Sequence, residues 1–266
     1  MLNVIRDGTL EYLAADNICV PHGFTTRFGG VSRGALSSLN LGMNRGDDPE
    51  IVAQNYRILT AAMGCTPNDL VLTHQTHSDI VRVVSREEAG KSLDHRDWPE
   101  CDAIITRDPG VALVVFTADC TPVLLHDPVT GAVGAVHAGW RGTAKDLAGK
   151  TVREMVKTFG CRPEHIRAAI GPNIARCCFE TDRDVPLAML EAYGKAATAL
   201  IRPTGSKYYV NLKELNALSL SRAGVVNIRI GRECTCCERE RFWSHRIHGP
   251  TRGSQGAIIL CKEVSA

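Results

Sequence analysis

Residues 111–143 read VALVVFTADCTPVLLHDPVTGAVGAVHAGWRGT, and this stretch decides the fold. VALVVFT (111–117) and AVGAVH (132–137) are short apolar runs with the length of buried strands. The run ending near Leu125 and the run starting at Ala132 are separated by DPVTG, whose Pro and Gly favour a turn, so the two pair as an antiparallel hairpin. Past AGWRG the period changes. Ala144, Leu147, Ala148, Val152, Met155, Val156 and Phe159 recur at helical spacing, with a Thr143/Asp146 capping pair before them and Gly160 after, which predicts a helix over 143–159.

Working outward, Pro49 to Met63 has a helical face of Ile51, Val52, Leu59, Ala62 and Met63, with Asp48 to cap it and Gly64 to end it. Two further helices are expected over 184–200 and 211–222, the second stopped by Gly224. IRAAI (166–170) and VVNIRI (225–230) read as strands. Strands and helices alternate only partly, so the expected fold class is α+β, with mixed β-sheets flanked by helices. The chain of 266 residues has no internal repeat, charge block or low-complexity linker, and is read as a single domain over 1–266.

The composition, 44% hydrophobic and 23% charged, excludes a disordered or collagen-like chain. With 31 Lys plus Arg against 29 Asp plus Glu the formal charge is +2, too balanced for binding driven by nucleic-acid phosphates. No apolar run reaches the ~18 residues of a membrane span, and the start carries charges where an export signal needs apolar residues. A cytoplasmic location is therefore expected, and the odd count of 11 cysteines points to free thiols or metal ligands over disulfides.

Reactive side chains fall at strand ends in three places: His74 and His77 in LTHQTHSDIV, Cys120 in TADCTP, and His137 at the close of AVGAVH. Singly, each is more often structural, since a buried Cys behaves as a small hydrophobe and a His as a hydrogen-bonded core residue. The segment after His137 changes the weighing. AGWRG leads into the expected helix start, whose free N–H groups attract anions, and Arg141 adds a planar fork matched to phosphate or carboxylate. Two chemistries fit a Cys with two His. One is a zinc site with three protein ligands and an open position; the other is a Cys120 nucleophile with a His base, and spacing does not choose between them.

Other motifs carry less. Cys234, Cys236 and Cys237 form a CxCC cluster and Cys177 with Cys178 a pair; neither is taken to match the CxxC spacing of structural zinc sites, and both are assigned as structural thiols. His245 and His248 lack the HExxH pattern, the HxE with PCxxC signature of nucleobase deaminases is absent, and the glycines at 29–30 do not follow GxGxxG.

TADCTPVLL followed by GAVGAVHAGWRGT resembles the core of the laccase-domain or polyphenol oxidase family, whose members are also described as zinc-dependent purine nucleoside phosphorylases. The resemblance runs on through HGFTTRFGGVSRGALSSLNLG, HQTHSDIV, DAIITRDPGVAL, IGPNIARCCFE, CTCC with FWSHR, and RGSQGAIIL. It implies a mixed-sheet α+β domain that binds Zn2+ through His77, Cys120 and His137. It also implies an enzyme that cleaves adenosine, inosine, guanosine or methylthioadenosine with phosphate, and that deaminates adenosine as a second activity. Arg141 is then the phosphate ligand, and Cys120, His137 and Arg141 are the catalytic residues. Arg27 in TTRFGG and Asn40 in SLNLG join Arg141 as substrate-binding candidates. Protonation of the leaving base falls to Asp119, His74 or Glu180. CFET, with Phe179 and Glu180, and FWSHR, with Ile247 beyond it, depart from the family's common wording, so the substrate edges are expected to differ.

Copper and phenol oxidation are disfavoured, because a multicopper centre needs clustered imidazoles and the chain has 9 His with no HxH. Also considered are a Cys120-dependent amidase acting on cell-wall precursors and a non-catalytic zinc or nucleoside-binding module.

Overall fold

The computed structural model describes residues 1–91 and 99–264. Its first sheet has the order β1 (Leu2–Asp7), β2 (Leu10–Ala15), β3 (His22–Thr25), β15 (Gln255–Leu260), β7 (Ala112–Thr117), β4 (Leu70–Leu72). The second runs β14 (Asn227–Ile230), β10 (Arg167–Ile170), β8 (Thr121–His126), β9 (Val133–Ala138), β6 (Ala103–Thr106), β5 (Val81–Val83). A small third sheet joins β11 (Glu180–Thr181), β13 (Lys207–Val210) and β12 (Ile201–Thr204). Both large sheets are mixed: β4 with β7, β5 with β6 and β10 with β14 are parallel, and the expected β8–β9 hairpin is antiparallel.

The two large sheets share one core. Leu13, Phe24, Val115 and Ile259 of the first meet Ile104, Leu124, Ala135 and Ala169 of the second. The outer face of the first sheet, with Leu70, Val114 and Ile258, is covered by Val52, Tyr56, Leu59 and Met63 of α1 (Pro49–Met63). The outer face of the second, with Ile105, Val123 and Val136, is covered by α3 (Leu147–Phe159) and α5 (Leu212–Arg222) through Leu147, Val152, Met155 and Leu220. The result is helix, sheet, sheet, helix. It explains why VALVVFT is apolar throughout instead of alternating, since alternate side chains of β7 enter a core on either face.

α1 has the ends the sequence predicts: Asp48 accepts from the Glu50 N–H, and Gly64 turns left-handed at φ 70°. The helix expected over 143–159 differs. It starts earlier, as α2 (Trp140–Ala144), and breaks at Asp146, which is left-handed at φ 60°. The break has a cause in tertiary bonding. The Asp146 carboxylate accepts from Ser219 Oγ of α5 at 2.5 Å and from Arg153 at 2.6 Å, which holds the residue off the helical path. Thr143 is therefore no cap: its N–H donates to Gly139 O, and its Oγ1 accepts from Asn216. The helix expected over 184–200 likewise stops, as α4 (Asp184–Tyr193), at Gly194, and a 3-10 turn completes the segment. No helix among the described residues is long and apolar enough to cross a membrane.

Candidate metal centre and active site

β8 and β9 pair with Thr121 opposite Ala138 and Pro122 opposite His137, so Cys120, one residue before β8, arrives beside the end of β9. His77 comes from the loop after β4. That loop is pinned by Gln75, whose amide accepts from the Phe116 N–H at 2.7 Å and donates to Phe116 O at 2.8 Å, as a strand partner would. The structure thus brings together His77, Cys120 and His137, far apart along the chain. Their ligand atoms all lie within 4.8 Å of one another, with Cys120 Sγ 3.7 Å from His77 Nε2.

Behind them stands Asp102, which is fully buried. Its Oδ1 accepts from His137 Nδ1 at 2.7 Å and from the His77 N–H at 3.2 Å; its Oδ2 accepts from Ser78 N–H and Oγ, both at 2.7 Å, and from the Thr76 N–H. One carboxylate thereby orients the His137 imidazole, holds the backbone of the His77 loop, and leaves His137 Nε2 for the cluster. Two of the residues here, His77 at φ 60° and Asp119 at φ 90°, are non-glycines in the left-handed region, a backbone held by its surroundings. Asp119 is clamped by Thr235 Oγ1 at 2.6 Å and by the Arg246 N–H at 2.7 Å, which fixes the chain direction into Cys120.

The charges reinforce one another. Burial opposes ionisation of Cys120, but the adjoining His137 and His77 outweigh it and bring the thiol down to about 6. Burial also disfavours a charged His137; the Cys120 charge and the Asp102 hydrogen bond overcome this and push it up to about 9. Asp102, despite its burial, is held below the usual carboxylate range by His137 and Ser78. A thiolate and two imidazoles converging in this way are a donor set for a borderline-soft cation. The surroundings fit one: a Cβ at position 139 would stand 2.8 Å from His77 Cδ2 and 3.2 Å from Cys120 Sγ, so Gly139 keeps the space between the ligands clear.

The other candidates from the sequence lie around this centre or away from it. Arg141 lies on α2, exposed, its guanidinium stacked 4.3 Å over the Trp140 ring and without an ion pair or hydrogen bond among the described residues. Arg27 is bound to the carbonyls of Ser37 and Arg239 and stacks 3.9 Å over Trp243. Asn40 is buried with both side-chain atoms engaged: Oδ1 accepts from the Gly42 and Ser254 N–H groups, and Nδ2 donates to Asp47 and Gly42 O. His74 is exposed and bridges to Glu100 through its backbone, while Glu180 accepts from Tyr209 OH.

Three features escaped sequence reasoning. Asp102 opens the motif DAIITRDPGVAL but carries no spacing signal to His137. Arg252, in RGSQGAIIL, is half-buried: burial and Arg45 bring its guanidinium down to about 10 although the Cys120 and Asp119 charges act to raise it, and its Nη1 donates to Gly253 O and Ser254 Oγ while its Nε has no hydrogen-bond partner among the described residues. The third is a correction. Cys177 and Cys178, read as a pair apart from the CxCC run, join Cys234 and Cys237 in one cluster, and that run holds a CxxC between Cys234 and Cys237.

The family model described as multi-copper polyphenol oxidoreductase laccase matches residues 21–262. A Deinococcus radiodurans protein named purine nucleoside phosphorylase is 40% identical over 250 residues, covering 94% of this chain and 92% of its own. Purine nucleoside phosphorylase YfiH of Escherichia coli is 37% identical over 236 residues, covering 88% and 91%. The crystal structure of YlmD from Geobacillus stearothermophilus superposes with a TM-score of 0.90 at 32% identity, over 98% of this chain and 99% of that one.

Proposed function

The chain belongs to the family described as multi-copper polyphenol oxidoreductase laccase, and from that premise we propose that it is a zinc-dependent purine nucleoside phosphorylase. It cleaves adenosine, inosine, guanosine or methylthioadenosine with phosphate to the free base and ribose 1-phosphate or its methylthio analogue, and deaminates adenosine as a second activity. The observation that carries this reading is the convergence of His77, Cys120 and His137 before the single carboxylate of Asp102. The names of the relatives support the substrate class.

In phosphorolysis the bond from C1′ of the sugar to the purine nitrogen breaks, its electron pair leaves with the base, and a phosphate oxygen bonds to C1′. His77, Cys120 and His137 would hold the zinc, which supplies a Lewis acid for substrate oxygens and an activated water for deamination. Arg141, exposed, and the half-buried Arg252, neither in an ion pair among the described residues, offer the phosphate two guanidiniums. The anion site so formed rests on these side chains and not on a helix start at Thr143. Arg27 and Asn40, whose polar atoms are engaged elsewhere, serve the substrate by shaping the pocket wall. Both Asp119 oxygens accept hydrogen bonds, which suits an anchor and not a proton donor, leaving His74 and Glu180 as acids for the departing base.

The test is incubation of the purified protein with adenosine and inosine, with and without phosphate, products being resolved by chromatography. Base release only with phosphate is the expected result, and inosine from adenosine without phosphate reports deamination. Cys120→Ser should lose the zinc held at His77 and His137 together with both activities, and a variant that keeps the wild-type metal content and rate overturns the assignment. One observation favours a second reading: Cys120, His137 and Asp102 also form a thiolate, imidazole and carboxylate series, the arrangement of a cysteine amidase. Hydrolysis of cell-wall peptide amides by chelated protein, abolished by iodoacetamide, would support it over phosphorolysis.

A further inference from the structure

β10 and β14 are parallel neighbours, so the loops that leave them emerge at the same end of the second sheet. The first loop carries Cys177 and Cys178; the second carries Cys234 and Cys237. Their backbones join where Thr235 N–H donates to Asn173 O at 3.0 Å. This places four sulfurs together: Cys177 Sγ is 3.6 Å from both Cys234 Sγ and Cys237 Sγ, Cys178 Sγ is 3.4 Å from Cys237 Sγ, and all four lie within 4.8 Å of one another.

We propose that Cys177, Cys178, Cys234 and Cys237 form a second, structural metal centre, a tetrathiolate site for one soft divalent cation of the zinc type. It is separate from the centre at Cys120 and does not depend on the nucleoside reading.

The spacing matches the chemistry. Sulfurs bound tetrahedrally to one ion at about 2.3 Å stand about 3.8 Å apart, whereas a disulfide needs about 2.05 Å. In an iron–sulfur cluster of four irons each thiolate holds a different iron, so the sulfurs stand farther apart than on one ion. Two details outside the sulfurs agree. The Ala175 N–H points at Cys234 Sγ from 3.3 Å, a donor placed to stabilise sulfur-borne negative charge. Lys213 is 5% exposed and donates to Gly231 O at 2.8 Å and Glu233 O at 2.6 Å, with no carboxylate in ion-pair contact among the described residues. A buried ammonium without an ionic partner is costly, and a dianionic tetrathiolate complex on the adjoining loop would compensate it.

The centre fastens elements that the Cys120 site relies on. Thr235 sits within the Cys234–Cys237 turn and clamps Asp119. Arg246, whose N–H is the other clamp on Asp119, donates its guanidinium to Cys178 O at 3.1 Å and Glu180 O at 2.9 Å.

The experiment is metal analysis of the full chain after saturation with zinc and removal of loosely held ions, with parallel cobalt(II) substitution. Expected are about two ions per chain in the wild type, about one in Cys120→Ser, about one in Cys237→Ser, and about two in Cys236→Ser, whose thiol lies outside the set. Cobalt in Cys120→Ser should give strong sulfur-to-metal absorption typical of several thiolates. If Cys237→Ser does not fold, the wild-type stoichiometry and the cobalt spectrum of Cys120→Ser decide alone. A wild type that saturates at one ion, a Cys120→Ser that holds none, or a disulfide within the cluster found by mass spectrometry of freshly reduced and purified chain overturns the proposal.

Discussion

At Gly139 the backbone has φ −64° and ψ 173°, a conformation open to any residue, yet the cluster leaves no room for a methyl group. Gly139→Ala therefore separates backbone effects from ligand geometry. It should lower zinc affinity by about 10- to 100-fold in a chelator competition while moving the unfolding free energy of the metal-free chain by less than about 1 kcal/mol. Unchanged affinity would mean that the ligands give way freely. At this scale the meeting of Cys120 and His137 with a histidine of the HQTH loop was foreshadowed by their motifs, and His77 was set apart from His74 by the family resemblance alone. Asp102 was not, because its partners His77 and His137 lie 25 and 35 residues away along the chain, and hydrogen bonds over such separations have no period. The four-thiol cluster was hidden for the same reason: half of it sits beyond each of two strands whose adjacency the sequence does not declare.

Among the elements, the junction between α2 and α3 depends on Asp146. Asp146→Ala removes the acceptor for Ser219 and Arg153 and leaves a Cβ-bearing residue in the left-handed region with nothing to hold it there. A loss of about 1–3 kcal/mol in urea unfolding is expected, with a smaller loss for Asp146→Asn, which tolerates that region and keeps an oxygen for Ser219. Equal stability of all three chains would show that the bend is set by packing alone. The break could not be read from the sequence because the apolar rhythm from Ala144 to Phe159 runs through it without interruption; the bond that bends the chain comes from α5. α1 was legible to its ends because its cap and stop signals are local, carried by Asp48 and Gly64.

For the molecule as a whole, mixed sheets were foreseeable from the partial alternation of strands and helices, but the pairing of the sheets was not. β15, the last strand, lies between β3 and β7 in the first sheet, a contact between opposite ends of the chain. Global stability should carry an acid limb from His126, which is 2% exposed. Burial foremost, then Arg167, brings its imidazole from 6.5 down to about 4. Between these values the unfolded chain takes up a proton that the folded chain refuses. Its contribution is therefore complete above pH 6.5 and lost as pH falls toward 4, by up to about 3 kcal/mol. His22, also lowered by burial, acts in the same direction. His126→Gln should flatten the fall in unfolding free energy between pH 6.5 and 4 relative to the parent chain, and parallel curves would exclude His126 as its source. The grip of Asp102 has a mechanical side as well. It ties the loop that extends one sheet to a central strand of the other, so a sliding of the two layers would be felt at once as a change in the bite of the imidazoles. An ion seated there would act as a rivet through the sandwich, stiffening the layers that give it its shape.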